Sequence, residues 1–333
     1  MNKALGPFWP KAQALDPHMR LYAYLDDMYV VCTRDASLAM LCALEEALTA
    51  SGLKLKASKT QLWCPAGPQA IPPTLPGKRC DTLGVLGAAL KTAGDTEEAP
   101  VAAHGAGKAL EEATARLTEL WTKLKQLGPA GLKKQRAAAL LRTYAGPSSQ
   151  HALRLETATQ EDAEAYDKQL LACWSDLLER ELTQEDLGRL GLPLKLGGMG
   201  AQLAQTRRYA APWSSWATTL EGVAADTGYE VLDNFLAELP HLRNELETLR
   251  SALHTQGAEV PPDAPLGAAL KKAGNQRSLV ANIQRKTRKS LESSMSDACR
   301  ATFKTAAGPG AGVFLLYPVD PECELEGPLG HRR

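Results

Sequence analysis

Apolar and polar positions alternate along this chain in two different ways, and the change falls near residue 100. Arg20 to Cys32 reads RLYAYLDDMYVVC, two short runs rich in Tyr, Val and Leu around an Asp-Asp pair. Asp tolerates turn geometry, so the pattern predicts a tight β-hairpin with Asp26 and Asp27 at its tip. A helix is expected from about Asp35, as N-cap, to about Ala50, with Gly52 as the glycine that ends it. Leu38, Leu41, Leu44 and Leu48 give that helix an apolar stripe. Gly52 to Trp63 is expected to run as a strand into a loop. Cys64 to Gly77, rich in proline, is expected to be loop, and Asp81 to Leu90 a short apolar β segment broken by two glycines.

From about Ala106 the period becomes helical. Helices are expected over Lys108–Leu127, Lys133–Tyr144 and Gln160–Glu181, with breaks at Gly128-Pro129 and Gly146-Pro147. Gly191 to Gly200 is a glycine-rich connector. Two more helices are expected over Arg207–Thr218 and Val231–His254. Gly257 to Pro265 is expected to be a linker, and Leu266 to Ala306 one long basic helix. The tail from Gly308 is expected to form a turn, a strand at Val313–Tyr317 and a disordered end. The fold class that follows is α+β, with strands confined to the first quarter.

Composition supports that division. Of 333 residues 44% are hydrophobic and 23% charged, which excludes wholesale disorder and collagen-like chains, while an aromatic content of only 5% with much Ala and Leu favours helix. Seven cysteines with no C-x-x-C pair support neither a disulfide scaffold nor a zinc site. Met1 to Pro10 lacks a secretory signal pattern, and the longest apolar run, Gly312 to Val319, is too short to span a membrane. A cytoplasmic or nuclear protein with no membrane partner is expected.

Net charge is zero, with 38 basic and 38 acidic residues, so only its distribution is informative. Lys108–Arg142 holds eight basic residues and three acids, and Lys271–Lys304 holds nine and two. The stretch between them, Glu156 to Asp186, is strongly acidic. Two basic helical zones can present a polyanion-binding face or be ordinary solvated surfaces. The nucleic-acid candidates are Lys123, Lys125, Lys133, Lys134 and Arg136 in the first zone and Arg285, Lys286, Arg288 and Lys289 in the second.

The sharpest chemical feature is Tyr24-Leu25-Asp26-Asp27. Adjacent carboxylates are hard oxygen ligands suited to Mg²⁺. They also arise by chance in a chain with this much Asp. The succession of a Y-x-D-D hairpin, an amphipathic helix, GLKLKASKTQLW and then LGVLGAAL resembles the C-terminal half of a reverse transcriptase palm, particularly that of non-LTR retrotransposons. The resemblance covers about Arg20 to Leu90. It implies RNA-directed DNA polymerase ancestry, a nucleotidyltransferase using Mg²⁺ or Mn²⁺, with RNA template, DNA primer and deoxynucleotides as partners. Asp26 would be the principal metal ligand, Asp27 a secondary one and Tyr24 a neighbour of the primer end. Lys59 would be the catalytic lysine facing the departing pyrophosphate. The helices after Ala106 would take the place of the thumb.

The same resemblance implies an incomplete site. A second metal-binding Asp and a glycine-containing template segment belong upstream, and Asp16, in DPHMR, has no strand around it. The expectation is a truncated palm, inactive as this chain, whose missing half a second polypeptide would supply. The expected organisation is a lead-in (1–19), a partial palm (20–92), a thumb-like helical region (106–190), a helical connector (191–256) and a basic helix with tail (266–333). Two further readings remain open: a non-catalytic nucleic-acid-binding protein, and a helical scaffold. His104 to Lys108 superficially resembles a phosphate-binding loop, but Ala102 and Ala109 stand where Gly and Ser or Thr belong, so a helix start is expected. Tyr209, Trp213 and Trp216 are spaced as a core stripe.

Overall fold

The computed structural model describes residues 5–24, 27–85, 88–91, 105–128, 132–155 and 158–307. It is mainly helical with three two-stranded sheets, and divides into an N-terminal unit (Met1–Ala103) and a helical unit (His104–Arg333).

In the N-terminal unit, α1 (Phe8–Leu15) leads into the antiparallel hairpin of β1 (Arg20–Tyr24) and β2 (Asp27–Val31), then α2 (Ser37–Ala50). The hairpin register pairs Leu21 with Val30 and Ala23 with Met28, and strand alternation sends one face toward the helices. Leu21, Met28, Val30 and Cys32 pack there against Phe8, Ala12, Met40, Leu44 and Leu48. This helix cover is what a two-stranded ribbon requires, since an isolated hairpin is marginal in water. The α2 stripe is rotated from the expected one: Met40, Ala43, Leu44, Ala47 and Leu48 are buried, while Leu38 is exposed. Spacings of three and four residues from Met40 make a tighter stripe than the leucines alone, with the small Ala43 and Ala47 allowing close approach of α1.

The start of α2 also differs from expectation, with Ala36 rather than Asp35 at the N-cap and no side-chain cap. Its end follows the expected chemistry. Gly52 takes φ 76°, its N–H reaches Thr49 O at 3.0 Å, and Leu53 N–H reaches Leu48 O at 2.8 Å, the paired bonds of a Schellman stop.

Gly52–Trp63 is mostly turn and loop rather than strand. Only β3 (Gln61–Leu62) is extended, paired in parallel with β4 (Lys78–Arg79). Alternating lysines there leave too little apolar side chain to hold a longer strand. Asp81–Leu90 folds as a hairpin of two strands, β5 (Thr82–Val85) and β6 (Ala88–Lys91), rather than one broken segment.

The helical unit begins with α3 (Gly105–Leu127), α4 (Lys134–Leu155) and α5 (Gln160–Leu178), which pack together around Leu117, Leu141, Leu153, Tyr166, Leu170 and Trp174. The break expected at Gly146-Pro147 is absent, and α4 runs through it. Proline removes one donor and strains the preceding turn. The carbonyls nearby are held by side chains: Ser148 Oγ and Tyr166 Oη each donate to Ala145 O at 2.6 Å, and Ser149 Oγ donates to Gly146 O at 3.0 Å. Gly146 is favoured by contact, since a Cβ there would lie 2.7 Å from the Cβ of Gln202.

Next come α6 (Gln184–Gly191), α7 (Ala204–Arg207), α8 (Ala210–Asp226), α9 (Leu232–Ala237) and α10 (Pro240–Gln256). The helix expected over Val231–His254 is therefore two, divided where Pro240 cannot continue the preceding turn and opens a new helix instead. The basic segment is three helices, α11 (Leu266–Ala273), α12 (Gln276–Ser294) and α13 (Asp297–Thr305). Asn275 and Ser296 side chains cap α12 and α13, accepting from the amides of Ser278 and Cys299, so cap chemistry overrides the continuous helical period. The Gly257–Pro265 stretch is tied down, with Ala258 and Val260 buried beside Trp213, Leu249, Leu270 and Leu279. The regions expected as separate connector and tail thus share one core. Trp213 is fully buried, its indole N–H donating to Ala273 O at 3.0 Å, and Tyr209 and Trp216 pack against the same core.

The expected strand at Val313–Tyr317 lies outside the described residues. Among the described residues no disulfide forms, and no helix is long and apolar enough to cross a membrane.

Candidate functional site

The hairpin register pairs Tyr24 with Asp27, so only Leu25 and Asp26 separate the strands. Asp26, the expected principal ligand, lies outside the described residues. Asp27 is exposed and stands at the first ladder position of β2, one residue inside the expected tip. Alternation places Asp27 and Tyr29 on the face away from the helices, together with Tyr22, which is 58% exposed.

Asp16 is committed elsewhere. It is 3% exposed, and its carboxylate accepts the amides of Thr33 at 2.7 Å and His18 at 2.9 Å. These bonds hold the carboxyl below the ordinary carboxylate range, the Thr33 amide contributing most. Thr33 lies six residues along the strand direction from Asp27, about 20 Å at the rise of an extended chain. Asp16 therefore latches the open end of the hairpin onto the turn after α1 and takes no part at the tip. Its Asp-Pro-His context signals a turn, which explains why the fold uses it as an anchor.

Lys59 occupies an exposed turn before β3, its amide bonded to Lys56 O at 2.8 Å. Among the described residues no three His, Cys, Asp or Glu side chains come together as a metal-binding group. Mg²⁺ relies on few, well-placed carboxylates, and Asp27 is the one described carboxylate of the Asp-Asp pair. The described donor set does not fit a two-metal centre.

The basic candidates divide sharply. Lys123 pairs with Glu119 at 2.6 Å, Lys125 with Asp176 at 3.2 Å and Lys134 with Glu179 at 2.8 Å. Asp176 also accepts the Trp121 indole N–H at 2.9 Å, and this bond, with Lys125, holds its carboxyl below the ordinary range. The acidic segment thus folds as α5 against α3 and supplies counter-charges to the first zone. Lys133 and Arg136 are exposed. In the second zone Lys286 donates to Thr255 O at 2.6 Å, while Arg288 binds Glu292 at 2.8 Å and stacks 5.8 Å from the Phe303 ring. Arg285 bonds Asn282 Oδ1 at 2.7 Å, and Lys289 is exposed with no ion pair among the described residues.

A buried polar seam between the two helical cores escaped the sequence reading. Asp167 of α5 is fully buried and accepts the amides of Ala204 at 2.6 Å and Gln205 at 3.1 Å, capping the first turn of α7 from a distance. Arg207, at the end of that turn, donates to Gln150 Oε1 at 3.2 Å and also to Gln202. Gln150 in turn exchanges hydrogen bonds with Gln276 at 2.8 and 3.1 Å, and Gln276 N–H donates to Ser214 Oγ at 3.2 Å. Burial pushes the Asp167 carboxyl up to about 7, opposed by the two amide donors and by Arg207. The available signal was an Asp inside the apolar stripe of Ala163, Tyr166, Leu170 and Trp174. The seam joins α4, α5, α7, α8 and α12 through these bonds. No family model matches this sequence, and no curated protein or solved structure matches it either.

Proposed function

We propose that the N-terminal unit derives from the palm of a retrotransposon reverse transcriptase and is catalytically incomplete as this chain. One observation carries the reading: the Y-x-D-D sequence spans a tight hairpin with Tyr24 opposite Asp27, backed by the amphipathic α2 that follows it directly. Hairpin, helix and lysine-bearing turn occur in the order that the sequence resemblance implies, and Lys59 remains exposed and available in that turn. Incompleteness follows from the described donor set, since Asp27 is exposed and Asp16, the buried carboxylate among the described residues of the unit, is bound to two amides far from it. Positioning and electrostatics supply nearly all of the rate in phosphoryl transfer, so half a site yields no measurable turnover.

The test is primer extension by the full chain on an RNA template with Mg²⁺ or Mn²⁺, beside Asp26→Asn, together with Mn²⁺ titration followed by the electron spin resonance of the free ion. The reading expects no extension, and weak Mn²⁺ binding lost in Asp26→Asn/Asp27→Asn. Extension that disappears in Asp26→Asn would show a complete site. Mn²⁺ binding unchanged by the double substitution would remove the hairpin from metal chemistry altogether.

A further inference from the structure

The second basic zone contains a stripe that the fold leaves open. At 100° per residue, Ser278, Asn282, Arg285 and Lys289 fall within about 60° of arc on α12, opposite its buried Leu279, Val280 and Ile283. The stripe is about 17 Å long at 1.5 Å per residue. Its N-terminal end opens into a groove of 690 Å³, lined among others by Lys272, Asn275, Ser278 and Asn282. Lys272, Arg285 and Lys289 are exposed and make no ion pair among the described residues. Two acids lie nearby: Glu259 lines the groove, and Glu292 is bound to Arg288.

We propose that this stripe, from Lys272 through Arg285 to Lys289, binds the phosphodiester backbone of a single-stranded nucleic acid without reading its sequence. A row of cations, Lys272 set apart from Arg285 and Lys289 by the neutral Asn275, Ser278 and Asn282, suits a polymer of evenly spaced single charges with hydrogen-bonding sugars between them. An anionic membrane would require an apolar anchor on the charged face, and the bulky apolar residues Leu279, Val280, Ile283 and Leu291 all lie off the stripe at 100° per residue. A carboxylate-rich peptide would favour clustered arginine forks, whereas the stripe carries a single arginine, Arg285. The stripe belongs to the helical unit and does not depend on the hairpin reading.

The measurement is fluorescence anisotropy of the full chain with a 20-nucleotide mixed-sequence single strand from 50 to 200 mM salt. Three phosphate contacts give a slope of log K on log salt near −2, about a 20-fold loss over that range. Lys272→Gln/Arg285→Gln/Lys289→Gln should flatten this dependence, whereas Lys123→Gln/Lys134→Gln and Asp26→Asn/Asp27→Asn should leave it unchanged. The proposal is overturned by absence of binding at 50 mM salt, or by the full slope persisting in the triple variant. Competition by polyglutamate or anionic lipid vesicles as strong as that of the oligonucleotide at equal charge would also overturn it.

Discussion

Lys108–Arg142 and Lys271–Lys304 carry nearly the same excess of positive charge, eight basic residues to three acids and nine to two. In the first stretch Lys123, Lys125 and Lys134 each end on a carboxylate, two of them from the acidic helix α5. In the second, Arg288 and Arg300 each find an acid on their own helix, while Lys272, Arg285 and Lys289 find none among the described residues. The difference lies in the partners, since α3 packs along an acidic helix, whereas the open face of α12 meets no acidic helix among the described residues. A run of like charge is thus informative only once its neighbours in space are known. Acids about 50 residues away in sequence neutralised the zone that a charge count ranks alongside the other.

The largest effect should come from removing the residue that locks the first pairing. Trp121 is 7% exposed, packs in the α3–α5 core and holds Asp176 beside Lys125. Trp121→Ala should cost about 3–5 kcal/mol in denaturant unfolding, within the usual range for a buried Trp truncation. Trp121→Phe keeps most of the ring and loses the N–H, and should cost on the order of 1–2 kcal/mol. Equal losses for the two variants would show that the indole hydrogen bond, rather than packing, joins the helices.

Asp167 sharpens the comparison from the other side, because the seam it begins ends at Gln276, the first residue of the open helix. Its carboxyl is raised from 3.8 to about 7, so between those values the native state binds its proton more tightly than the unfolded chain. Native stability from this group is complete below about pH 3.8 and declines as pH rises toward about 7, by on the order of 1–4 kcal/mol. Asp16 and Glu46, both held low, act with the opposite sign and only in more acidic solution. Facing Asp167 are Arg207, whose charge opposes the decline, and Glu164, which adds to it. Unfolding free energy measured from pH 4 to pH 7.5 should fall in the wild type and stay flatter in Asp167→Asn, whatever the absolute cost of that substitution. Parallel curves would mean that Asp167 is ionised throughout.

These cases also mark what was legible beforehand. The hairpin was, because runs rich in Tyr, Val and Leu flank the Asp-Asp pair, although Asp27 proves to be the first residue of β2 rather than part of the tip. The stop at Gly52 was readable as well, since a left-handed position has few other occupants. The continuity of α4 through Pro147 was not, because the groups that occupy Ala145 O and the contact that favours Gly146 come from Tyr166 and Gln202, far along the chain. The anchoring role of Asp16 was not readable for the same reason: its sequence context shows a turn, and only the fold brings Thr33 to it. At the candidate sites residue types were readable and pairings were not. Lys125 and Lys289 look alike in sequence and differ only in what packs beside them.

The smallest predicted change in stability tests that last statement directly. Asp176→Asn/Glu179→Gln removes the two carboxylates at the C-terminal end of α5 that face Lys125 and Lys134 while nearly preserving shape. All four side chains of these pairs are more than half exposed, so water and salt screen them and the stability cost should stay below about 1 kcal/mol. The binding consequence should be larger than the stability consequence. Two freed lysines add up to two phosphate contacts, steepening the salt dependence of single-strand binding by about 1.4 in log–log slope. The first zone would then behave like the second. A slope unchanged in this variant would mean that geometry, and not paired charge, keeps Lys125 of α3 and Lys134 of α4 from acting as a polyanion surface.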